Sequence, residues 1–214
     1  MELQVYRLDG SESGRTVTLD PTVFEIEPND HVLWLDVKRI EANRRQGTHK
    51  VKNRAENAHS TRKLYRQKGT GYARAGDAKS PIRRGGGTAH GPQPRSYELK
   101  VNRKTQRLAR RSALTYKAQA EAIRVVEDFT FEQPSTRRLL EVLAAQGLAD
   151  RKVLLLTGEY NPALYLSSHN LPKVRVLEAR NASTRDLLDA QVLLMQESAV
   201  EVLNRMLRTA PVAA

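Results

Sequence analysis

Apolar and polar residues alternate at the start of the chain: Leu3 and Val5 have polar neighbours, and a second such stretch, Thr16 to Leu19, follows the run Asp9-Gly10-Ser11-Glu12-Ser13-Gly14. Period-two alternation on either side of Gly, Asp and Ser predicts a β-hairpin. The period then changes to that of a helix. Asn29 or Asp30 supplies a cap, and Leu33, Val37 and Ile40 at i, i+4 and i+7 predict a helix with that stripe turned to the core. Further on, Ala109, Ala113, Tyr116, Ala120 and Ile123 recur at helical spacing, with Arg103, Arg107, Arg110 and Arg111 gathered on another side.

From there the pattern is one of strands and helices in turn. Short apolar runs at Val125-Val126, Val153 to Leu156, Val174 to Leu177 and Val192 to Met195 alternate with helical patterns at Ser135 to Gly147, Pro162 to His169, Thr184 to Asp189 and Glu197 to Arg208. Such alternation predicts an α/β fold: a mostly parallel, Rossmann-like sheet with helices on both faces. In the last helix Ala199, Val200, Leu203, Met206 and Leu207 form the apolar face, and Thr209 to Ala214 reads as a fraying tail.

One stretch breaks this pattern altogether. Between Ala42 and Glu98 the only aliphatic side chains larger than Ala are Val51, Leu64 and Ile82, whereas Gly, Pro, Lys and Arg abound. Such a segment buries too little apolar surface to fold alone, and its length marks it as functional rather than connecting. The expected organisation is a globular α/β body of residues 1–41 and 99–214, carrying one long, basic, irregular inserted loop, residues 42–98.

Charge sharpens the division. The 214 residues hold 36 Lys and Arg against 24 Asp and Glu, a net +12. Lys38 to Arg111 alone carries 22 cations against the four acids Glu41, Glu56, Asp77 and Glu98, a net +18, so the rest of the chain carries −6. A basic insert on a mildly acidic body is the arrangement of a polyanion-binding arm. Its glycines let the backbone approach a crowded surface and expose N–H donors. Its cations neutralise phosphates, and Tyr65, Tyr72 and Tyr97 offer rings to unstacked bases, which suits irregular RNA. The plain alternative is a solvated basic loop without a specific target.

Other chemistries find little support. With no cysteine in the chain, disulfide frameworks and thiolate metal or redox chemistry are excluded. His31, His49, His59, His90 and His169 have no i, i+4 partner, so no metal site is expected. Gly85-Gly86-Gly87-Thr88-Ala89-His90 fails the dinucleotide fingerprint at its sixth position, no phosphate-binding Gly-Lys-Ser/Thr loop occurs, and Gly10-Ser11-Glu12-Ser13-Gly14 has Glu where a nucleophile elbow needs Ser. Catalytic residues and cofactors are therefore expected to be none. The opening residues form a strand pattern rather than a secretory signal, and the longest aliphatic run, Val153 to Leu156, is far shorter than the roughly 20 residues of a membrane span. A cytoplasmic protein without a membrane partner is the expectation. The rival classes are a nucleotide-dependent enzyme on the parallel sheet and a non-specific binder of DNA or acidic membrane.

The arm itself carries a recognisable order of residues: Arg66-Gln67-Lys68-Gly69-Thr70-Gly71, Ala73-Arg74, Gly76, Ser80-Pro81, Gly85 to Gly87, Gly91-Pro92 and Pro94-Arg95-Ser96-Tyr97. This resembles the signature of the large-ribosomal-subunit protein four family in its bacterial form. The resemblance implies a structural constituent of the large ribosomal subunit that binds large-subunit rRNA and takes part in early assembly. It also implies contact with neighbouring large-subunit proteins and with nascent polypeptide, a single copy rather than a homo-oligomer, and no catalysis. By carry-over, Gln67, Lys68, Gly69, Thr70, Gly71, Tyr72, Ala73 and Arg74 form a tip lining the polypeptide exit tunnel. The rRNA contacts are then Arg44, Arg45, Lys50, Lys52, Arg54, Arg62, Lys63, Arg66, Lys68, Arg74, Lys79, Arg83, Arg84, Arg95, Arg103 and Arg107. Two tyrosines depart from the family pattern: Tyr65 stands where Trp is commoner, and Tyr72 stands where Arg is commoner, so the tip loses a charge and gains a ring. Thr88-Ala89-His90 replaces a stretch that the family pattern makes more apolar or aromatic.

Overall fold

The structure, a computed structural model, describes residues 1–208; the tail expected from Thr209 lies outside the described residues. It divides into two compact units, one of Met1–Ile40 with the chain from Lys100 onward, the other of Glu41–Leu99.

The first unit is a mixed α/β fold. Strand β1 (Glu2–Tyr6) pairs antiparallel with β2 (Glu12–Thr18) and parallel with β3 (Ile123–Val126). β4 (Val153–Thr157), β5 (Val174–Glu178) and β6 (Val192–Gln196) complete a six-stranded sheet in the order β2-β1-β3-β6-β4-β5, parallel except for β2. The helices are α1 (Pro21–Phe24), α2 (Asp30–Asn43), α3 (Arg103–Gln119), α4 (Thr136–Ala145), α5 (Pro162–Ser168), α6 (Thr184–Asp189) and α7 (Glu197–Leu207).

Every residue of β4 and β6 is buried, which is why these strands read as unbroken apolar runs. Their side chains point alternately to two cores. Leu154, Leu156, Leu193 and Met195 join Phe24, Leu33, Leu114, Leu187 and Leu203 from α1, α2, α3, α6 and α7 on one face. Val153, Leu155, Val192 and Leu194 join Leu139, Leu143 and Leu164 from α4 and α5 on the other. Side-chain caps fix several helix starts: Asp20 and Asn161 each precede a proline at the first helical position, and Ser135 and Ser183 accept from the amides of Arg138 and Asp186.

Three expectations are corrected. The opening turn is shorter than predicted, because β2 already begins at Glu12; the register slips between Gln4 and Tyr6, and Gly14 sits inside β2 with φ +75°. In α2 the buried residues are Leu33 and Asp36, while Val37 and Ile40 are only half-buried. In α3 the packed face is Ala109, Ser112, Ala113, Leu114, Thr115 and Ala118; Tyr116 and Ala120 are exposed, and Ile123 belongs to β3. Small hydroxyls at Ser112 and Thr115 let α3 lie close to its neighbours, and a hydrophobicity pattern cannot register that.

Asp36, 1% exposed, is the charge this core has to accommodate. Its Oδ1 accepts from Arg39 Nε at 2.8 Å and its Oδ2 from Thr184 Oγ1 of α6 at 2.6 Å. Burial lowers the pKa of Arg110 on α3, and the Asp36 charge counters that shift. Asp36 thus ties α2 to α6 through bonds that only a carboxylate satisfies. Asp36→Ala, which leaves the cation and hydroxyl without their acceptor, should lower the unfolding free energy by about 3–5 kcal/mol. Trp34→Ala, at an exposed position of the same helix, should change it by less than about 0.5 kcal/mol. Urea denaturation of both variants checks this, and equal effects would contradict the role given to Asp36.

Candidate nucleic-acid interface

No helix or strand occurs between the end of α2 at Asn43 and the start of α3 at Arg103. Glu41–Leu99 nevertheless has a shape, made by hydrogen bonds between two limbs that run in opposite directions. At its base, Asn43 Oδ1 accepts from the Leu99 amide at 2.8 Å, and Asn43 Nδ2 donates back to the Leu99 carbonyl at 3.2 Å. Above that, amides and carbonyls join Arg95 to Gly47, Val51 to Pro92, Thr88 to Lys52, Ala78 to Ser60 and Leu64 to Gly76. The partner numbers rise along one limb as they fall along the other, so the segment is an irregular hairpin, without a strand ladder, that turns between Tyr65 and Ala75. Gly87 is its one buried residue from 44 to 102.

The glycine triplet corrects the expected role of exposed donors. The Gly86 amide donates to the Arg83 carbonyl at 2.9 Å and the Gly87 amide to the Lys79 carbonyl at 3.0 Å, so both are used within the segment. A Cβ on Gly86 would lie 1.9 Å from the Ser80 carbonyl oxygen, and one on Gly87 would lie 2.4 Å from the Arg54 nitrogen. Gly87 lets its limb touch the other at Asn53 and Arg54, and Gly86 lets its own limb fold closely back on Ser80.

Fourteen of the candidate cations lie in this segment, and all are exposed except Lys79, which is half-buried. Arg103 and Arg107 are exposed as well but lie on α3, in the other unit. Lys50 and Arg54 are among those held by the segment's own acids: Lys50 Nζ lies 2.6 Å from Glu56 and Arg54 lies 2.8 Å from Asp77. The hydrogen bond from Lys50 is the largest of the contacts holding the Glu56 carboxyl below its usual pKa. Lys52, Arg62, Lys68, Arg74, Arg83 and Arg84 present their charges at the surface.

Near the base, Arg45 and Arg95 lie over the Tyr97 ring, 3.9 and 4.5 Å from its centroid, and the Tyr97 hydroxyl is 3.3 Å from His49 Nε2. A hydrogen bond with Arg95, together with the charges of Arg95 and Arg45, lowers the pKa of the Tyr97 phenol. Tyr97 orders two guanidiniums beside a groove of about 620 Å³. The adjacency of Arg95 and Tyr97 hints at this in the sequence; the distant Arg45 and His49 do not. At the turn, the Tyr65 hydroxyl donates to the Ala73 carbonyl, Arg66 donates to the Gly69 carbonyl at 2.8 Å, and Lys63 donates to Gln67 at 2.5 Å. These bonds bring Gln67 to Arg74 together in one turn. Tyr72 is 79% exposed, so of the three tyrosines it is the one with an open ring. Among the described residues, no cluster of three or more His, Asp or Glu side chains is placed to hold a metal ion.

A sequence model of the ribosomal protein L4/L1 family matches residues 17–206. The chain is also 55% identical over 209 residues to the large ribosomal subunit protein uL4 of Salinibacter ruber, covering 98% of this chain and 97% of that one. The uL4 protein of Chlorobium phaeobacteroides is 53% identical over 207 residues, covering 97% of this chain and all of its own. The chain belongs to the ribosomal protein L4/L1 family. That family is a structural component of the ribosome and not an enzyme, which removes the nucleotide-dependent enzyme from consideration. Among the described residues, no helix is long and apolar enough to cross a membrane.

In this L4-family chain the limb contacts at Gly87 should be separable from the fold of the body. Gly87→Ala should speed exchange of the Thr88 amide, which donates to Lys52, by at least about tenfold while leaving amides of β4 and β6 protected. Gly76→Ala, where a Cβ meets nothing within 4 Å, should leave both sets unchanged. Hydrogen exchange read by NMR distinguishes these, and a Thr88 amide unaffected by Gly87→Ala would contradict the packing role.

Proposed function

We propose that this chain is a structural constituent of the large ribosomal subunit, in which the Rossmann-like body is a scaffold and residues 42–98 are an inserted loop that binds large-subunit rRNA. The observation that carries this is the segregation of charge: the cations stand exposed on a hairpin with a single buried residue, and the curated relatives of nearly the same length are named large ribosomal subunit proteins. Such a protein works in the cytoplasm, beside other ribosomal proteins. A limb bonded within itself but lacking an apolar core binds through surface charge and shape, which suits an RNA whose backbone crowds it from several sides. Arg83, Arg84 and Arg95 are the embedded stem contacts, and binding of the loop is an early assembly step.

The turn from Gln67 to Arg74 is the part that lines the polypeptide exit tunnel and meets nascent polypeptide. Its internal bonds support this, since a tip exposed to passing chains has to hold its own shape. Tyr72 then offers a ring to the tunnel where a cation is commoner.

Binding to large-subunit rRNA should fall steeply with salt, by about 0.7–0.9 log units of affinity per phosphate contact for each log unit of salt. Replacing Arg83, Arg84 and Arg95 together by Ala should reduce that slope by roughly three. A chain whose residues 42–98 are scrambled at constant composition should lose preference for its RNA over bulk DNA. Filter-binding titrations read both, and an unchanged slope, or a scrambled chain that binds equally well, would contradict the proposal.

A further inference from the structure

Lys50 and Arg54 are paired with Glu56 and Asp77, but Arg45 and Arg95 are held in another way. Among the described residues, no carboxylate lies within ion-pair distance of either guanidinium; what holds both is the Tyr97 ring, with the guanidinium carbons 3.9 and 4.5 Å from its centroid. A ring attracts a cation without neutralising it, and a guanidinium laid over a ring keeps most of its N–H donors free at its edge. The two charges are thus ordered and still unspent.

The backbone sets the ring in place. The Arg95 amide donates to the Gly47 carbonyl at 3.2 Å. A Cβ at Gly47, where φ is +67°, would lie 2.0 Å from the Arg95 carbonyl oxygen and 3.2 Å from the Tyr97 ring, so a glycine is needed for the limbs to close here. Asn43 and Leu99 tie the limbs again. The His49 ring, its centroid 5.8 Å from that of Tyr97, meets the same tyrosine. Tyr97 therefore serves its own arginines and histidine first.

The groove of about 620 Å³ beside this stack has room for a nucleoside. Glu98 is the one acid in its lining, against two guanidiniums, and the segment around it sets 14 cations against four acids. Gln46, Thr48 and Ser96 also line it, with the hydroxyl and amide groups that a ribose and a base edge use and that an acidic peptide would leave idle. Both guanidiniums lie within 4.5 Å of one ring centroid, close enough to serve neighbouring phosphates of one strand.

We infer that this groove captures a nucleotide of single-stranded RNA, whose flanking phosphates Arg45 and Arg95 grip while Tyr97 positions both arginines, an inference that rests on the reading of residues 42–98 as an RNA-binding loop. Tyr97 is a positioning residue here, acting through the arginines rather than by stacking on the base.

The test titrates the full-length, nitrogen-15-labelled chain with a short oligouridylate, with a methylphosphonate oligomer of the same sequence, which keeps the bases without the charge, and with inorganic phosphate. The expected result is a saturable shift of the Arg45 and Arg95 Nε–H signals with oligouridylate, complete at lower concentration than that of the exposed Arg62, and at least several-fold weaker with the other two probes. Tyr97→Leu should weaken this response several-fold, Tyr97→Phe, which keeps the ring, should restore it, and Arg45→Ala should weaken the response at Arg95. Absence of shifts, an Arg62 signal that responds equally well, or Tyr97→Phe no better than Tyr97→Leu would overturn the inference. So would an equal response to inorganic phosphate, which would make this a free-anion site, or a stronger one to an oligoglutamate, which would make the partner an acidic protein. Filter binding to large-subunit rRNA separates the two readings: if rRNA binds with its steep salt dependence while Arg45 and Arg95 ignore oligouridylate, the groove inference alone falls, and if rRNA does not bind, both fall.

Discussion

A segment that buries almost nothing must be held in shape by polar bonds. Everything distinctive about Glu41–Leu99 follows from that constraint. With Val51, Leu64 and Ile82 as its only large aliphatic side chains before Leu99, and Ile82 90% exposed, hydrophobic burial is not available to it. Its limbs meet instead through single amide–carbonyl bonds, the reciprocal Asn43–Leu99 pair and glycines small enough to let backbones touch. Lys50–Glu56 and Arg54–Asp77 spend two of its few acids on internal contacts. Lys52, Arg62, Lys68, Arg74, Arg83 and Arg84 are exposed at its surface, and a concentrated positive field is what a polyanion partner requires.

The body solves the opposite problem. Its parallel strands need cover on both faces, and the two cores supply it from helices on either side. Apolar residues are therefore spent almost entirely in one unit, whereas the other sets 14 cations against the four acids Glu41, Glu56, Asp77 and Glu98. Among the described residues of the body, the one charge buried deeply, Asp36, is satisfied by Arg39 and Thr184.

Much of this architecture is legible in the sequence where burial is complete. β4, β5 and β6 follow the apolar runs within one residue, and α5 to α7 follow their helical patterns closely, because fully buried parallel strands and one-sided helices leave strong periodic signals. The signal weakens where polar residues are buried. Asp36, Ser112 and Thr115 occupy core positions that a search for apolar stripes assigns elsewhere, to Val37, Ile40 and Tyr116. In the basic segment the composition and order of residues mark its importance, yet the pairing of its limbs has no period to read. The Arg45–Tyr97–Arg95 stack joins residues some fifty positions apart through contacts that only a folded chain displays.

The central claim is that the chain is an integral part of the large ribosomal subunit rather than a loose polyanion binder. Sedimentation of the tagged full-length protein from its host lysate through a sucrose gradient in high salt tests it most directly. The account predicts comigration with the large subunit at salt concentrations that strip purely electrostatic binders. Release of the protein into the top fractions under those conditions would contradict it.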